Sequence, residues 1–545
     1  MTLLSTAATT MRTISESVTR RARSFRRRDE NGHDDGSVWA TGDVRAVLDD
    51  LGVELDGDDS ARLDLAEIWA RTPPKLHLRV AARGRRRLIV DSAGRLPRTP
   101  GAIGRLLFHL EPGGLLVLAP GSRPPATAAE ADALQGSLEA RYPDSVGRIR
   151  AVRGHLVVEN RRRLHACVRE PQAAQLLRLR PDLGRVLSTR PSVTCRAKGR
   201  LSESRTDLTT VRPRAWVVPE LAIREYDGVI SAPGQVVRTD SLLLPETFRH
   251  WSRPKLHNKH LQSVVQPFFS DASRLPPFVQ KPPPGGPRVL EGSFFHLDNE
   301  IRGHFGHMTT EVVAKLWGWR EAKRADPGLR ALLHANGPRT TLASWELDLL
   351  AAGGVAAEDI VVTPDPVRVE HLLTATQMFE DPYYVHPDLA GIWGEMGDRL
   401  VAEGSTATPD RIFVSRRLTK RACRNGAEVE ALFAELGFTV IFPEDYPLPE
   451  QVRIFRQASA VAGFMGSGMF TLMFVSDPKP VLLVGSDTYT PRNEFLIAGA
   501  LGHDLSVAWC EAERDAPPDG KRFQAGFVFD MDTEGEFIRA AAAGL

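Results

Sequence analysis

Three short stretches of the sequence combine residue types that can move protons or hold anions. The first is "HLDNEIRGHFGHMTTEVV", His296 to Val313. A strand ends near His296, a polar loop carries Asp298, Asn299 and Glu300, and a helix starts near Gly306 or His307. His307 and Glu311 are spaced i,i+4, so they share a helix face, and the carboxylate can orient or charge the imidazole. An imidazole titrating near neutral pH suits a general base. Asp298 and Glu300 are substitute bases if His307 only binds substrate. Two other readings stand: a metal site formed by His304, His307 and Glu311, although no HExxH spacing is present, or histidines that are simply loop and cap residues.

The second stretch is "RIFVSRRLTKRACRNGAEVEALF", Arg411 to Phe433. Arg416 and Arg417 follow a buried-type strand at its carboxyl end, where a planar guanidinium fork suits bidentate phosphate contact. Lys420 and Arg421 read as a solvated charge run. The third stretch, "AVAGFMGSGMFTLMF" (Ala460 to Phe474), runs apolar to Gly463, turns through Gly466 and Gly468, and resumes with helical spacing. Gly466, Ser467, Gly468 and Met469 offer backbone amides to an anion at a helix N-terminus. No GxxxxGK[ST] or GxGxxG spacing is present, so a P-loop nucleotidase is not expected. A plain strand-to-helix connection is the competing reading. Together the turn and the arginines supply counter-charge for a diphosphate; no metal and no other cofactor is expected.

The elements that must position these residues are regular after the proline- and glycine-rich linker "RLPPFVQKPPPGGPRV". One block reads "RVLEGSFFHL" (strand), "HMTTEVVAKLWGWREAKRAD" (amphipathic helix), "LRALLHA" (strand), "TLASWELDLLAAGG" (helix) and "DIVVTP" (strand). A second runs "RIFVSR", "AEVEALFAELG", "FTVIFP", "PEQVRIFRQA", "SAVAGF" and "KPVLLVG". Repeated strand–helix–strand implies two parallel-sheet domains, over 281–405 and 406–545, with ligands bound beyond the carboxyl ends of the strands.

Upstream, residues 1–36 read as a disordered basic arm with loose attraction for an acidic membrane surface as the sharper alternative. Residues 37–125 alternate helix and strand: "DVRAVLDDLGV", "RRLIVDS" and "TPGAIGRLLFHLEPGGLLVLAPG". This last block resembles the closing part of class I methyltransferases, without the glycine-rich turn that binds the methyl donor, so a small accessory α/β domain without methyl transfer is expected. Residues 126–280 read as a connecting, β-rich region, in which "GQVVRTDSLLLPETFRH" is a β-hairpin leading into a helix. The fold class is α/β.

The 545 residues are 42% hydrophobic and 25% charged with a net charge of +2, an ordinary globular composition that gives no argument for nucleic acid as a partner. The four cysteines have no CxxC spacing, which excludes the usual zinc pattern and a disulfide scaffold. No apolar run reaches membrane-spanning length, and "MTLL" preceding the first arginines is not a secretory signal. A cytoplasmic protein, peripheral at the inner membrane face at most, is expected.

Residues from about 200 to 545 resemble the family 61 glycosyltransferases, which include bacterial capsular polysaccharide proteins and eukaryotic xylosyl- and N-acetylglucosaminyltransferases. The likeness rests on Phe305-Gly306-His307 with Glu311, on "RIFVSRR" with Asn425, Glu428 and Val429, and on "PEDYPLPEQVRIFRQASAVAGFMGSGMFTLMF". It implies a GT-B-like pair of Rossmann-like domains and inverting transfer from a nucleotide-diphosphate sugar, UDP-sugar foremost, to a glycan acceptor in surface or capsular polysaccharide synthesis. Arg416, Arg417, Gly466, Ser467, Gly468 and Met469 would bind the donor, and His307, Glu311 and Asp298 would carry the catalysis. The sequence departs from the family's Gly-Pro-His-Gly-Ala-Gly-Leu-Thr-Asn turn. Phe464 and Met465 replace proline and histidine, Phe470 and Thr471 replace threonine and asparagine, and His304-Phe305 replaces Asn-Tyr. A methionine has no hydrogen-bond donor, a loss of about 1 to 3 kcal/mol to a charged ligand. The alternative from another class is a catalytically reduced GT-B scaffold that binds a glycan or a partner protein.

Overall fold

The computed structural model describes residues 42–53, 62–70, 72–142, 144–162, 165–205, 207–208, 214–249, 286–335, 341–401, 408–417, 421–489, 491–513 and 522–545. The basic arm of 1–36, most of the proline-rich linker and Lys420 lie outside these residues. The described chain is mixed α/β with parallel sheets and groups into two compact units. One is drawn from 1–187, 224–294 and 365–373; the other from 188–223, 295–364 and 374–545.

The first unit holds a five-stranded sheet. Strands Arg62–Asp64, Arg86–Asp91 and Leu110–Leu118 run parallel, and His155–Asn160 and then Val146–Val152 continue the sheet antiparallel. The sheet therefore runs past residue 125. The expected helix "DVRAVLDDLGV" forms as Gly42–Asp50 and packs Val44, Val47 and Leu48 onto Leu88, Val90, Leu115 and Val117. The Pro-Gly-Gly segment lies inside the strand Leu110–Leu118 rather than in a turn before it, and the register shifts there, between Arg86 and Leu88. Thr99 caps the helix Pro100–Leu107 by accepting from Ala102 N–H, with proline at the first turn. The expected hairpin is present as Val236–Arg238 with Leu242–Leu243, followed by a single 3₁₀ turn, Pro245–Thr247, in place of a longer helix.

In the second unit, six strands are ordered Thr439–Ile441, Arg411–Val414, Ala460–Phe464, Pro480–Ser486, Asp504–Cys510 and Leu201–Glu203, all parallel. Their near-continuous apolar runs reflect burial on both faces. Phe413, Phe433, Phe464 and Phe527 anchor the core on one side of this sheet. In another, larger sheet Arg330–His334 pairs in parallel with Ile360–Thr363, and Leu297 N–H donates to Leu332 O.

The single amphipathic helix expected over His307–Asp326 is broken into three kinds of turn. Phe305–His307 is α-helical, Met308–Val312 is π-helical, Val313–Lys315 is 3₁₀, and only Leu316–Ala325 is a regular α-helix. The Thr309 and Thr310 hydroxyls both donate to Gly306 O, at 3.1 and 2.7 Å, which diverts a carbonyl from the helical ladder and widens the turn.

Candidate active site

Every residue singled out for chemistry falls in the second unit. The widened turn aligns His307 and Glu311: Nδ1 of His307 lies 2.5 Å from Glu311 Oε1. With the carboxylate ionised, Nδ1 carries the proton and donates, which leaves Nε2 with the lone pair. Glu311 is held in turn, because its Oε2 accepts Glu300 N–H at 3.4 Å. The His304 ring stands edge-on to the His307 ring at 4.8 Å, flanking it. Among the described residues no three His, Cys, Asp or Glu side chains converge as a metal site would need.

Asp298 lies in the loop that leads to this dyad. It is wholly buried, accepts from His334 Nδ1 at 3.1 Å, and has Arg302 Nε 3.7 Å from its other oxygen. Burial alone would raise its pKa, but the hydrogen bond and charge of His334, with Arg302, hold it at about 2. A carboxylate held so firmly ionised takes no proton near neutral pH. The Asp298 carbonyl also receives Lys315 Nζ at 2.6 Å, which fixes the loop that leads to His307.

The glycine turn packs directly against the start of that helix. A Cβ on Gly306 would lie 3.1 Å from Ser467 Cβ and 3.2 Å from the Phe470 ring, tighter than most side-chain contacts, so glycine eases the close approach of the two segments. The three glycines of the turn do different jobs. At Gly463 a Cβ would meet Met469 Sδ at 2.6 Å, so this glycine makes room for a buried methionine. Gly466 has φ +148°, a backbone conformation L side chains rarely adopt, and Gly468 is half-buried beside Val414.

What faces Gly466 decides the electrostatics. A Cβ placed there would lie 3.6 Å from Arg421 Nη2 and 3.7 Å from Arg416 Nη1. Arg416 donates to Met465 O at 3.4 Å and to Arg421 O, with its Cζ over the Phe464 ring at 5.6 Å. Burial first, then the neighbouring Arg421 charge, lowers its pKa to about 10. Arg421 has φ +57°, which turns its side chain back so that Cζ lies 4.7 Å from the Tyr489 ring centre. The solvated-face reading of Arg421 is thereby corrected, because its guanidinium belongs to the turn.

Two expected donor contacts are placed elsewhere. Arg417 forms a bidentate pair with Asp445, at 2.6 and 2.7 Å, and stacks on Phe442 at 4.2 Å on the surface. Met469 N–H already bonds Gly466 O, and its side chain is fully buried, so it closes the 3₁₀ segment Ser467–Phe474 that replaces the expected α-helix. Phe464 points into the core, and Met465 Sδ lies where Gly485 would carry a Cβ. Asn425 binds the Phe529 backbone through both ends of its amide, a scaffold role. Glu494 escaped the sequence reading. It is 1% exposed, accepts Gly466 N–H at 2.6 Å and is held protonated up to about pH 7, chiefly by burial.

This arrangement pairs a carboxylate-oriented imidazole with two guanidinium groups at a glycine turn. Residues 305–482 match the Glycosyltransferase 61 family. The matched span starts at Phe305 and includes His307, Glu311, Arg416, Arg421 and the whole turn, and it is narrower than the 200–545 of the sequence likeness. No curated protein matches the chain. A Glycosyltransferase 61 domain supports a glycosyltransferase function, with a sugar donor and an acceptor as the general partners.

Proposed function

We propose that this protein is an inverting glycosyltransferase that moves a sugar from a nucleotide-diphosphate donor, UDP-sugar foremost, to a glycan acceptor in surface or capsular polysaccharide synthesis. The observation that carries the reading is the pair of guanidinium groups within 4 Å of the Gly466 Cβ position, beside a helix start bearing His307. The donor diphosphate lies on Gly466, Ser467 and Gly468 between Arg416 and Arg421. An acceptor hydroxyl gives its proton to His307 Nε2 while its oxygen attacks the anomeric carbon from the face opposite the phosphate. The bond from that carbon to the phosphate oxygen breaks, and the arginines hold the charge that develops on the leaving diphosphate. Glu311 stabilises the imidazolium that forms. The two parallel-sheet blocks are read as a GT-B-like pair, acting in the cytoplasm, with the basic arm of 1–36 as a peripheral membrane contact.

Thermal-shift screening with UDP-, GDP- and CMP-sugars tests the reading, because a ligand at 100 times its dissociation constant adds about 2.7 kcal/mol to stability. Stabilisation by one donor class is expected. His307→Ala should then lower turnover by about 10² to 10⁴-fold with donor affinity unchanged; unchanged turnover would make His307 a structural cap. One observation favours a second reading, a reduced scaffold that binds a glycan or partner protein. Met465, at the place of the family histidine, is 3% exposed and directed at Gly485. Absence of a response to all three donor classes would favour that scaffold.

A further inference from the structure

The glycine turn is held by a carboxylate that the donor-binding geometry leaves unused. Glu494 is the second residue of the helix Asn493–Leu501 and accepts Gly466 N–H through Oε1 at 2.6 Å. Its Oε2 is buried with no hydrogen-bond partner among the described residues. Charged and titratable groups face it from several elements. Arg416 and Arg421 come from the segment after the strand Arg411–Val414, and Tyr489 from the loop after Pro480–Ser486. Arg492 precedes the helix, its Cζ 4.2 Å from the ring of Trp509 on the strand Asp504–Cys510. Farther out, Cys423 acts on Arg416 and Asp381 on Tyr489.

Glu494 therefore shares its surroundings with the two arginines proposed to take the diphosphate, and it touches the residue on which that ligand would lie. An anion entering between Arg416 and Arg421 adds negative charge next to a buried carboxyl, which disfavours its ionised form. A proton on Oε2 removes the conflict and leaves Oε1 free to keep accepting from Gly466. We propose that Glu494 is a proton-linked positioning residue, so that a nucleoside diphosphate binds to this turn together with a proton taken from solvent onto Glu494. The inference rests on the donor-site reading of the turn.

The sign follows from linkage. The ligand prefers the protonated carboxyl, so affinity is highest below about pH 7 and falls as pH rises, by up to tenfold per unit until the higher pKa of the bound state is passed. A glutamine at this position keeps the acceptor for Gly466 and carries no charge, so its variant should bind without that fall.

Calorimetric titration of uridine and guanosine diphosphates, in parallel, near pH 7.5 in two buffers of different ionisation heat gives the number of protons bound. Glu494→Gln run identically removes the nucleotide's own share. The expected result is uptake of about 0.5 to 0.75 proton more by the wild type than by the variant, since about a quarter of the free carboxyl is already protonated at that pH. Equal proton numbers, with both proteins binding, would overturn the inference and leave the donor site standing. Binding of neither nucleotide to the wild type would overturn both. If the glutamine variant does not fold, the wild type decides with the UDP-sugar or GDP-sugar that binds, because their doubly esterified diphosphates do not titrate near neutrality. An affinity that is flat from about pH 6.5 to 8.5 would then sink the linkage.

Discussion

Two enclosed arginines in this protein live in opposite company. Arg224, 3% exposed, donates to Glu246 at 3.1 Å and to both oxygens of Glu170, and Tyr226 O–H adds a bond to Glu246. Burial alone would lower its pKa, but the carboxylates reverse this and raise it. Arg416 hydrogen-bonds two backbone carbonyls and, among the described residues, no carboxylate, and a second cation stands next to it. Its pKa moves the other way, down to about 10. A neutralised cation belongs to the fold, whereas a partly desolvated one left without a counter-ion costs stability and is kept where an anion is to be bound.

Substitution should separate the two roles. Arg224→Met leaves the buried Glu246 and the half-buried Glu170 without their cation and should cost about 3 to 5 kcal/mol, read as a lowered denaturant midpoint. If it costs under about 1 kcal/mol, Arg224 is not the fold's ion pair and the comparison fails. Arg416→Met relieves repulsion with Arg421 and should leave stability within about 1 kcal/mol of the wild type, or raise it. A loss near that of Arg224→Met would make Arg416 structural too.

Glu494 sharpens the contrast through pH. Its folded pKa of about 7 lies above the ordinary 4.5, so between these values the native state holds a proton that the unfolded state has released. Its contribution is fully present below pH 4.5 and is lost as pH rises toward 7, by up to about 1.4 kcal/mol per unit. Melting temperature against pH should show that decline, and Glu494→Gln should flatten it; identical curves would remove Glu494 from the account. Smallest of all, Arg417→Ala removes an exposed pair with Asp445 and a surface stack on Phe442, and should leave the denaturant midpoint close to that of the wild type.

The regular parts of this fold were legible because they repeat. "RIFVSR", "SAVAGF" and "KPVLLVG" are apolar runs bounded by turn residues, and each forms a parallel strand within two residues of its expected ends. The edge strand Leu201–Glu203 was not legible, since three residues carry no period and their partner, Asp504–Cys510, is some 300 positions away. In the site, the i,i+4 pairing of His307 and Glu311 was visible from spacing alone, although not the π-turn that achieves it. Arg421 was misread because a charge run does not reveal the positive φ that folds one of its members inward. Glu494 gave no signal: a single glutamate near a helix start looks like an ordinary first-turn acid until its burial is seen.

Titration calorimetry of uridine and guanosine diphosphates into the wild type and into Arg416→Ala, Arg421→Ala and Arg417→Ala tests the diphosphate site most directly. One nucleotide should bind the wild type, lose about 10 to 100-fold in affinity with either Arg416 or Arg421 removed, and stay within about twofold when Arg417 is removed. Equal affinity across all four proteins would contradict the claim that the turn between Arg416 and Arg421 holds the donor.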